Sequence, residues 1–226
     1  MQNSELVSFL DRLVHDLREP LRSITAFSEV LKEQSQTSDA EYHRVLDEIL
    51  QGGARIRVLT DALSLYSLSL EPRDENCSTQ LKLAFELATM KLDKELRETG
   101  ATVNADGLDG DVAVRLERLT QLLGIFLSNS IRFHSESAPV IQLSCTKDTG
   151  SYKVRIEDNG IGIAPGDREK IFLPFTRIYG RKYPGAGLGL TIARQIIENY
   201  GGSITVEPSA ENAVQGVALV FTLPEA

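Results

Sequence analysis

The sequence predicts an α-helical hairpin, paired into a dimeric four-helix bundle, followed by an α/β sandwich with a mixed sheet. In residues 4–70, apolar side chains recur three and four positions apart, which is the spacing of helices. Residues 71–76 are polar, contain a proline and interrupt this spacing. Beyond them, short strand-like runs alternate with helical patterns. We therefore place the first domain at residues 1–71 and the second at residues 72–226.

Residues 4–34 are predicted to form one long helix. One stripe of this helix is apolar and contains Leu6, Leu10, Leu13, Leu17, Leu21, Ile24 and Leu31. His15 lies off the stripe, roughly 200° around the helix from the nearest stripe residues, and should face solvent beside Asp16. Pro20 should bend the helix one turn later.

An exposed imidazole beside a carboxylate is a candidate nucleophile with an orienting partner. The simpler interpretation is that His15 is one of the many surface histidines without a role. Pro20 favours function, because a proline inside a helix costs about 3 kcal/mol and is seldom present without a cause.

The second helix is predicted to open at a capping box, Ser38-Asp39-Ala40-Glu41. Its apolar seam alternates steps of three and four and contains Tyr42, Val45, Ile49, Gly52, Ile56, Leu59, Leu63, Tyr66 and Leu70. A hairpin of two such helices has two apolar flanks and only one internal partner, so we predict a homodimer. Gly52-Gly53 indicates either a close helix approach or a flexible point.

Composition narrows the class of protein. The formal charge of −8 argues against non-specific nucleic-acid binding. No apolar run approaches the roughly 20 residues of a membrane span, and the N-terminus lacks the pattern of a signal peptide. We expect a soluble, cytoplasmic protein. Cys77 and Cys145 have no metal-type spacing, so we assign them no role.

In the second domain the patterns predict three helical segments and two strand hairpins. The helices are expected at 81–92, 116–133 and 190–200, short strands at 101–103 and 112–114, and the hairpins at 140–143 with 152–156 and 204–206 with 217–223. A glycine-rich region separates the two hairpins.

Two motifs before this region carry polar groups. Asn129 lies in an otherwise apolar helix and is either a hydrogen-bonded core amide or a ligand. The run Asp158-Asn159-Gly160-Ile161-Gly162-Ile163 follows a strand, where a carboxylate can accept a hydrogen bond from the exocyclic amine of adenine. A plain turn is the alternative for this second motif.

Two further motifs follow. Ile171-Phe172-Leu173-Pro174-Phe175 precedes Gly185-Ala186-Gly187-Leu188-Gly189-Leu190, which opens a helix and so offers backbone N–H groups to a phosphate. A Rossmann site is excluded, because these glycines do not follow a strand of a βαβ unit. Residues 164–184 are predicted to form a lid packed on Phe172 and Phe175, or else a plain loop anchored by them.

His15-Asp16-Leu17-Arg18-Glu19-Pro20-Leu21 resembles the phospho-acceptor box of sensor histidine kinases. The four later motifs, in this order, resemble the N, G1, F and G2 boxes of the GHKL (Bergerat-type) ATP-binding domain. The resemblance covers nearly the whole chain, and residues 175–185 together with Glu19 look most like the phytochrome-type branch.

This resemblance implies a two-component kinase core that phosphorylates His15 from ATP with Mg²⁺ and passes the phosphoryl group to an aspartate of a response regulator. His15 and Asp16 are its implied catalytic residues, and an upstream sensor domain is implied outside this chain. The implied metal ligand is Asn129. The implied nucleotide-binding residues are Asn129, Arg132, Phe133, Asp158, Gly160, Gly162, Ile163, Arg177, Gly185, Gly187, Leu188 and Gly189.

Within that set, Arg132 and Arg177 are implied to contact phosphate and Asp158 to bind adenine, while the glycines allow the backbone to approach the ligand. Two positions depart from the family pattern. Ile125 replaces a common second asparagine, which is a glutamate in the ATP-hydrolysing relatives, so self-contained hydrolysis is disfavoured. Glu19 replaces a common threonine or asparagine, so we expect weak phosphatase activity.

Two other functions are weighed. A dimeric histidine phosphotransfer adaptor without ATP binding should have lost the glycine motifs, which are intact here. A GHKL ATPase that works by conformational change is disfavoured by Ile125 and by the His15-Asp16 pair.

Overall fold

The computed structural model describes residues 3–33, 39–69, 77–180, 182–183, 185–209 and 216–226. In the first two helices, the side chains of residues 3–12, 14–16, 32–33, 39–41 and 67–68 also lie outside the description. The helices are α1 (Asn3–Glu33), α2 (Asp39–Ser69), α3 (Leu81–Lys91), α4 (Asp93–Thr99), α5 (Leu116–Arg132) and α6 (Gly189–Asn199). The strands are β1 (Thr79–Gln80), β2 (Thr102–Asp106), β3 (Asp111–Val112), β4 (Val140–Asp148), β5 (Ser151–Asp158), β6 (Ile204–Pro208) and β7 (Val217–Pro224).

Helices α1 and α2 pack against each other as a hairpin. Val45, Gly52 and Leu59 of the predicted seam are buried, which confirms the 3.5-residue spacing in the middle of α2. Tyr42 is an exception, because its side chain is 45% exposed. Ser38, the predicted cap of α2, lies outside the described residues.

Five strands form a mixed sheet in the order β2-β4-β5-β7-β6. Strand β2 runs parallel to β4, and the other neighbours are antiparallel, as the predicted hairpins require. Alternate side chains of β5, at Tyr152, Val154 and Ile156, are buried against the helices. The predicted class, a helical hairpin followed by an α/β sandwich with a mixed sheet, is confirmed.

The start of the second domain differs from its prediction. The segment 81–92 was expected as one helix, yet α3 ends at Lys91 and α4 begins at Asp93. At the break Leu92 has φ −106° and ψ 11°, and Leu92 and Leu96 both pack against the core. Leu83 lies within α3, and its side chain is 42% exposed.

Short strands here also pair in a way that the sequence did not indicate. Strand β3 ends at Val112, two residues before the end of the predicted strand, and pairs with β1 in a separate two-stranded sheet. Two short 3₁₀ turns, Pro165–Asp167 and Lys170–Phe172, occupy the first half of the predicted lid.

The last two turns of α2 pack against the second domain. Tyr66 is buried in the same apolar cluster as Phe126 and Phe221, whose rings lie 5.3 Å apart. Asn199 Nδ2, at the end of α6, donates a hydrogen bond of 2.6 Å to the carbonyl of Ser69. The hairpin therefore continues into contact with the helices that cover the sheet. Within the described parts of the chain, no helix is both long and apolar enough to cross a membrane.

Candidate functional site

A cavity of about 310 Å³ lies between the C-terminal half of α5, the start of α6 and the loops that follow β5. Eleven of the twelve residues predicted to bind nucleotide line it, namely Asn129, Arg132, Phe133, Asp158, Gly162, Ile163, Arg177, Gly185, Gly187, Leu188 and Gly189. Gly160, the twelfth, does not line the cavity, and its N–H donates to Asp158 Oδ1. Motifs that are up to 60 residues apart in sequence (129 to 189) thus meet at one site.

One end of the cavity carries a carboxylate acceptor. Asp158, the last residue of β5, accepts hydrogen bonds of 2.9 Å from Ser130 Oγ and from the Gly160 N–H. Burial raises the pKa of the Asp158 carboxyl above its usual value, although these hydrogen bonds act in the opposite direction. A partly buried carboxylate with remaining acceptor capacity suits a ligand that brings N–H donors.

Another part of the wall is cationic. Arg132, the last residue of α5, and Arg177 both line the cavity, and among the described residues no carboxylate forms an ion pair with either guanidinium. Burial lowers the pKa of Arg132, and the nearby charge of Arg177 lowers it further. Two neighbouring cations without a protein counter-charge form a site for an anionic ligand.

The N-terminus of α6 adds backbone donors to the wall. Leu188, Gly189 and Leu190 line the cavity, and no side chain caps this end of α6. Just before the helix, Gly187 has φ +70°, and a Cβ on it would lie 2.8 Å from the backbone carbon of Phe175. Only glycine fits there, so the chain can fold tightly and leave the helix N–H groups open to an anion.

Asn129 and Ile125 occupy neighbouring turns of the α5 wall. The Asn129 amide faces the same cavity as the arginines, while an Ile125 methyl group lies 3.4 Å from where a Gly189 Cβ would be. In the described part of the chain no cluster of three or more His, Cys, Asp or Glu side chains is placed to hold a metal ion.

The segment between the two glycine motifs is anchored at both ends. The Arg194 guanidinium lies 3.8 Å from the centre of the buried Phe172 ring and also pairs with Glu169. Towards the far end, Tyr179 and Tyr183 pack around Phe133, with ring centres 4.9 to 6.0 Å apart. The segment thus covers the cavity between two aromatic anchors.

The structure adds residues that the sequence did not single out. Ser130 contacts the carboxylate of Asp158, and Tyr179 and Tyr183 line the cavity. These two tyrosines were visible only as aromatic residues in a polar segment. Three residues of the hairpin, Val58, Ala62 and Leu65, also line the cavity, and no local pattern indicated this contact.

His15 and Asp16, the predicted catalytic pair, lie in α1. Their side chains are outside the described residues, so their predicted orientation stays a prediction. Leu13, two residues before His15, packs against the apolar core cluster of the second domain.

Comparison with known families matches both parts of the chain. Residues 5–69 match HisKA, the His Kinase A (phospho-acceptor) domain. Residues 115–226 match HATPase_c, the histidine kinase-, DNA gyrase B- and HSP90-like ATPase.

The chain is similar to Cyanobacterial phytochrome A of Nostoc sp., with 31% identity over 98% of this chain and 29% of that protein. It is also similar to Phytochrome-like protein Cph1 of Synechocystis sp., with 27% identity over the same shares. The chain thus spans less than a third of the length of these relatives.

Solved histidine kinases have the same fold. The catalytic domain of ThkA matches with a TM-score of 0.57 and 25% identity, over 66% of this chain and 97% of that one. ThkA in complex with the response regulator protein TrrA matches with a TM-score of 0.73 and 22% identity, over 99% of this chain and 63% of that one. With both domains matched in order, the chain belongs to the sensor histidine kinases, a family of ATP-dependent protein-histidine kinases, and forms their catalytic core.

Proposed function

We propose that this core binds MgATP in the cavity, transfers the γ-phosphoryl group to His15 and then passes it to an aspartate of a response regulator. The observation that supports it most is the division of the cavity wall. A carboxylate acceptor lies on one part, and two guanidinium groups, which pair with no carboxylate of the described residues, lie on another. ATP has the matching division into an amine-bearing base and an anionic triphosphate.

At the base end, Asp158 accepts a hydrogen bond from the exocyclic amine of adenine. Ser130 and Gly160 hold the carboxylate in place through its two oxygens, so it needs no reorganisation when the base arrives. Gly162 and Ile163 line the wall beside it, and the Phe133 ring flanks the same end of the cavity.

At the phosphate end, Arg132 and Arg177 neutralise the charge of the triphosphate, and the backbone N–H groups at Gly187 to Gly189 bind its oxygens. Transfer of a phosphoryl group depends mainly on positioning and on charge neutralisation of this kind. Gly185 lies beside Arg132 and leaves room for its guanidinium.

The donor set fits one Mg²⁺ ion. The Asn129 amide oxygen is a hard, neutral ligand at the phosphate side of the wall, and Mg²⁺ commonly takes few protein ligands besides phosphate oxygens and water. Bound there, the ion would supply additional neutralisation of phosphate charge. Ile125 offers no carboxylate to activate water, which favours transfer to His15 over hydrolysis.

In the transfer step, a neutral ring nitrogen of His15 bonds to the γ-phosphorus while the bond from that phosphorus to the β,γ-bridging oxygen breaks. ADP leaves with that oxygen, and Asp16 holds the imidazole and stabilises the positive charge that forms on it. The phosphohistidine then passes the group to the carboxylate of the regulator.

Two partners belong to this proposal. The complex of ThkA with TrrA, which shares the fold of both domains, supports a response regulator as the acceptor. A second copy of this chain would cover the apolar residues that the hairpin leaves exposed, among them Leu21, Tyr42 and Leu50. A cytoplasmic location stays part of the prediction.

The test is labelling with γ-³²P ATP in three variants, because the chain has three histidines. His15→Ala should lose all label while binding ADP normally, and His43→Ala and His134→Ala should keep it. The label should be stable to base and labile to acid, as a phosphoramidate is. Label retained in the His15 variant would refute the acceptor assignment.

A second variant tests the nucleotide site. Asp158→Asn should weaken ATP binding by tenfold or more, because it replaces a charge-assisted hydrogen bond, worth about 1.5–3 kcal/mol, with a neutral one. The phosphotransfer adaptor, the alternative function, predicts no ATP binding in any variant. Calorimetric titration of the unmodified chain with ATP and Mg²⁺ separates the two functions.

A further inference from the structure

The glycine loop after β5 and the segment that covers the cavity are joined by a hydrogen bond. Tyr179 Oη donates to the carbonyl of Gly162, four residues beyond Asp158. Gly162 and Tyr179 both line the cavity, so this bond spans its rim from one wall to the other. Neither the base-binding nor the phosphate-binding role described above uses it.

The rings around this hydroxyl hold it in position. Tyr179 packs against Phe133 and Tyr183 at 5.9 and 6.0 Å between ring centres. Phe133 in turn is tied to the glycine loop, because its carbonyl accepts a 3.0 Å hydrogen bond from the Ile161 N–H. The covering segment and the glycine loop thus share one aromatic support, and the Tyr179 hydroxyl also bonds the two directly.

The segment is also fixed internally. Arg177 donates from a terminal nitrogen to the Tyr183 carbonyl at 2.6 Å, and the Gly180 N–H donates to the Arg177 carbonyl at 3.1 Å. Residues 177–180 therefore form one hydrogen-bonded turn. The bond from Tyr179 links that turn to the far wall.

We propose that Tyr179 is a positioning residue whose bond to the Gly162 carbonyl latches residues 176–180 over the nucleotide and slows its release. This inference rests on nucleotide binding in the cavity, as proposed above. Burial raises the pKa of Tyr179, with smaller contributions from Tyr183, Asp167 and Asp158, so the hydroxyl keeps its proton and remains a donor.

The test removes the hydroxyl alone. In Tyr179→Phe the ring contacts stay and the latch is lost, so a fluorescent mant-ADP should dissociate about fivefold faster, the effect of one net hydrogen bond. The single-turnover rate of His15 phosphorylation at saturating ATP should change less than twofold, because the latch acts on release rather than on transfer. Tyr183→Phe is the matched control, since it removes a hydroxyl from the same ring cluster without touching Gly162.

A second measurement needs no nucleotide. Amide hydrogen exchange at Gly180 should quicken about fivefold in Tyr179→Phe, while exchange at Ile161, held by Phe133, should stay within twofold of the unmodified chain. The latch is disproved if Tyr179→Phe leaves Gly180 exchange unchanged, or if Tyr183→Phe speeds mant-ADP release equally. Absence of mant-ADP binding by the unmodified chain would instead refute the nucleotide proposal, and the exchange measurement would still decide the latch.

Discussion

Asp158 is a carboxylate that the fold holds at an energetic cost. Burial at the end of β5 disfavours its charge, and the hydrogen bonds from Ser130 and Gly160 recover only part of the lost solvation, so its pKa is raised. A group whose folded pKa exceeds its unfolded pKa binds protons more readily in the folded chain. The proposed role of Asp158 in binding the base thus explains the presence of a buried charge that lowers the stability of the unliganded fold.

Asp158→Asn should therefore change how stability depends on pH. In the unmodified chain, the free energy of unfolding should fall as pH rises from the ordinary pKa of an aspartate to the raised one, and the full cost should be present above it. The asparagine variant lacks this contribution. Urea unfolding of both proteins across the acidic range measures the difference between them.

Ser130→Ala provides a second variant for the same measurement. It removes a donor that stabilises the charged form, so it should extend the falling region to higher pH. The opposite slope, with the unmodified chain gaining stability over Asp158→Asn as pH rises, would show that Asp158 is stabilised in its charged form.

At the level of single residues, the sequence predicted what is encoded in short contiguous motifs. Asn129, Asp158 and Gly187 each lie in such a motif, and all three line the cavity. Tyr179 and Val58 could not be predicted, because their places in the wall depend on how a loop and a distant helix pack. A contact between residues that are far apart in sequence leaves no periodic pattern around either residue.

Among the elements, the hairpin resolves the two interpretations of Gly52-Gly53 in favour of a close approach at Gly52. A Cβ there would lie 2.7 Å from Ile24 Cγ1 and 3.3 Å from the Pro20 carbonyl oxygen. At Gly53 a Cβ would meet nothing within 4 Å. The close packing of α1 thus requires a glycine at position 52, whereas the space around position 53 would accept a side chain.

Alanine at each position should separate these cases. Gly53→Ala should stabilise the chain by about 1 kcal/mol through helix propensity alone. Gly52→Ala gains the same amount but must push α1 away near Ile24 and Pro20, a cost of about 1–3 kcal/mol, so it should be less stable than Gly53→Ala by that difference. Urea unfolding followed by circular dichroism measures both, and equal stabilisation by the two variants would contradict the close approach.

Most helices and strands could be predicted because their periodic apolar patterns extend over enough residues to be recognised. The break at Leu92 could not be predicted in this way. Leu81, Leu92 and Leu96 all pack on the core and would lie on one face of a single straight helix, so the apolar pattern gives no sign of the break. The chain nevertheless leaves the helical conformation at Leu92, which has φ −106° and ψ 11°.

For the whole molecule, the contact between α2 and α6 is one of the contacts that join the two domains. The predicted seam of α2 continues to Tyr66, yet this residue is 5% exposed and belongs to the core cluster of the second domain. The predicted boundary at residues 71 and 72 falls outside the described residues and stays a prediction. Motion of the second domain relative to the hairpin has to release, among other contacts, Tyr66 and the hydrogen bond from Asn199 to Ser69.

Tyr66→Ala should therefore uncouple the two domains. Loss of a buried aromatic ring costs about 3–5 kcal/mol, and here the loss falls on the contact that makes the hairpin and the second domain unfold together. Calorimetry should then resolve two separate transitions and a lower first midpoint. Met90→Ala is the control, because this apolar side chain of α3 is 66% exposed, and it should change stability by less than about 1 kcal/mol. If Tyr66→Ala unfolds in a single transition with the midpoint of the control, the α2–α6 contact does not couple the domains, and their relative position is set elsewhere in the chain.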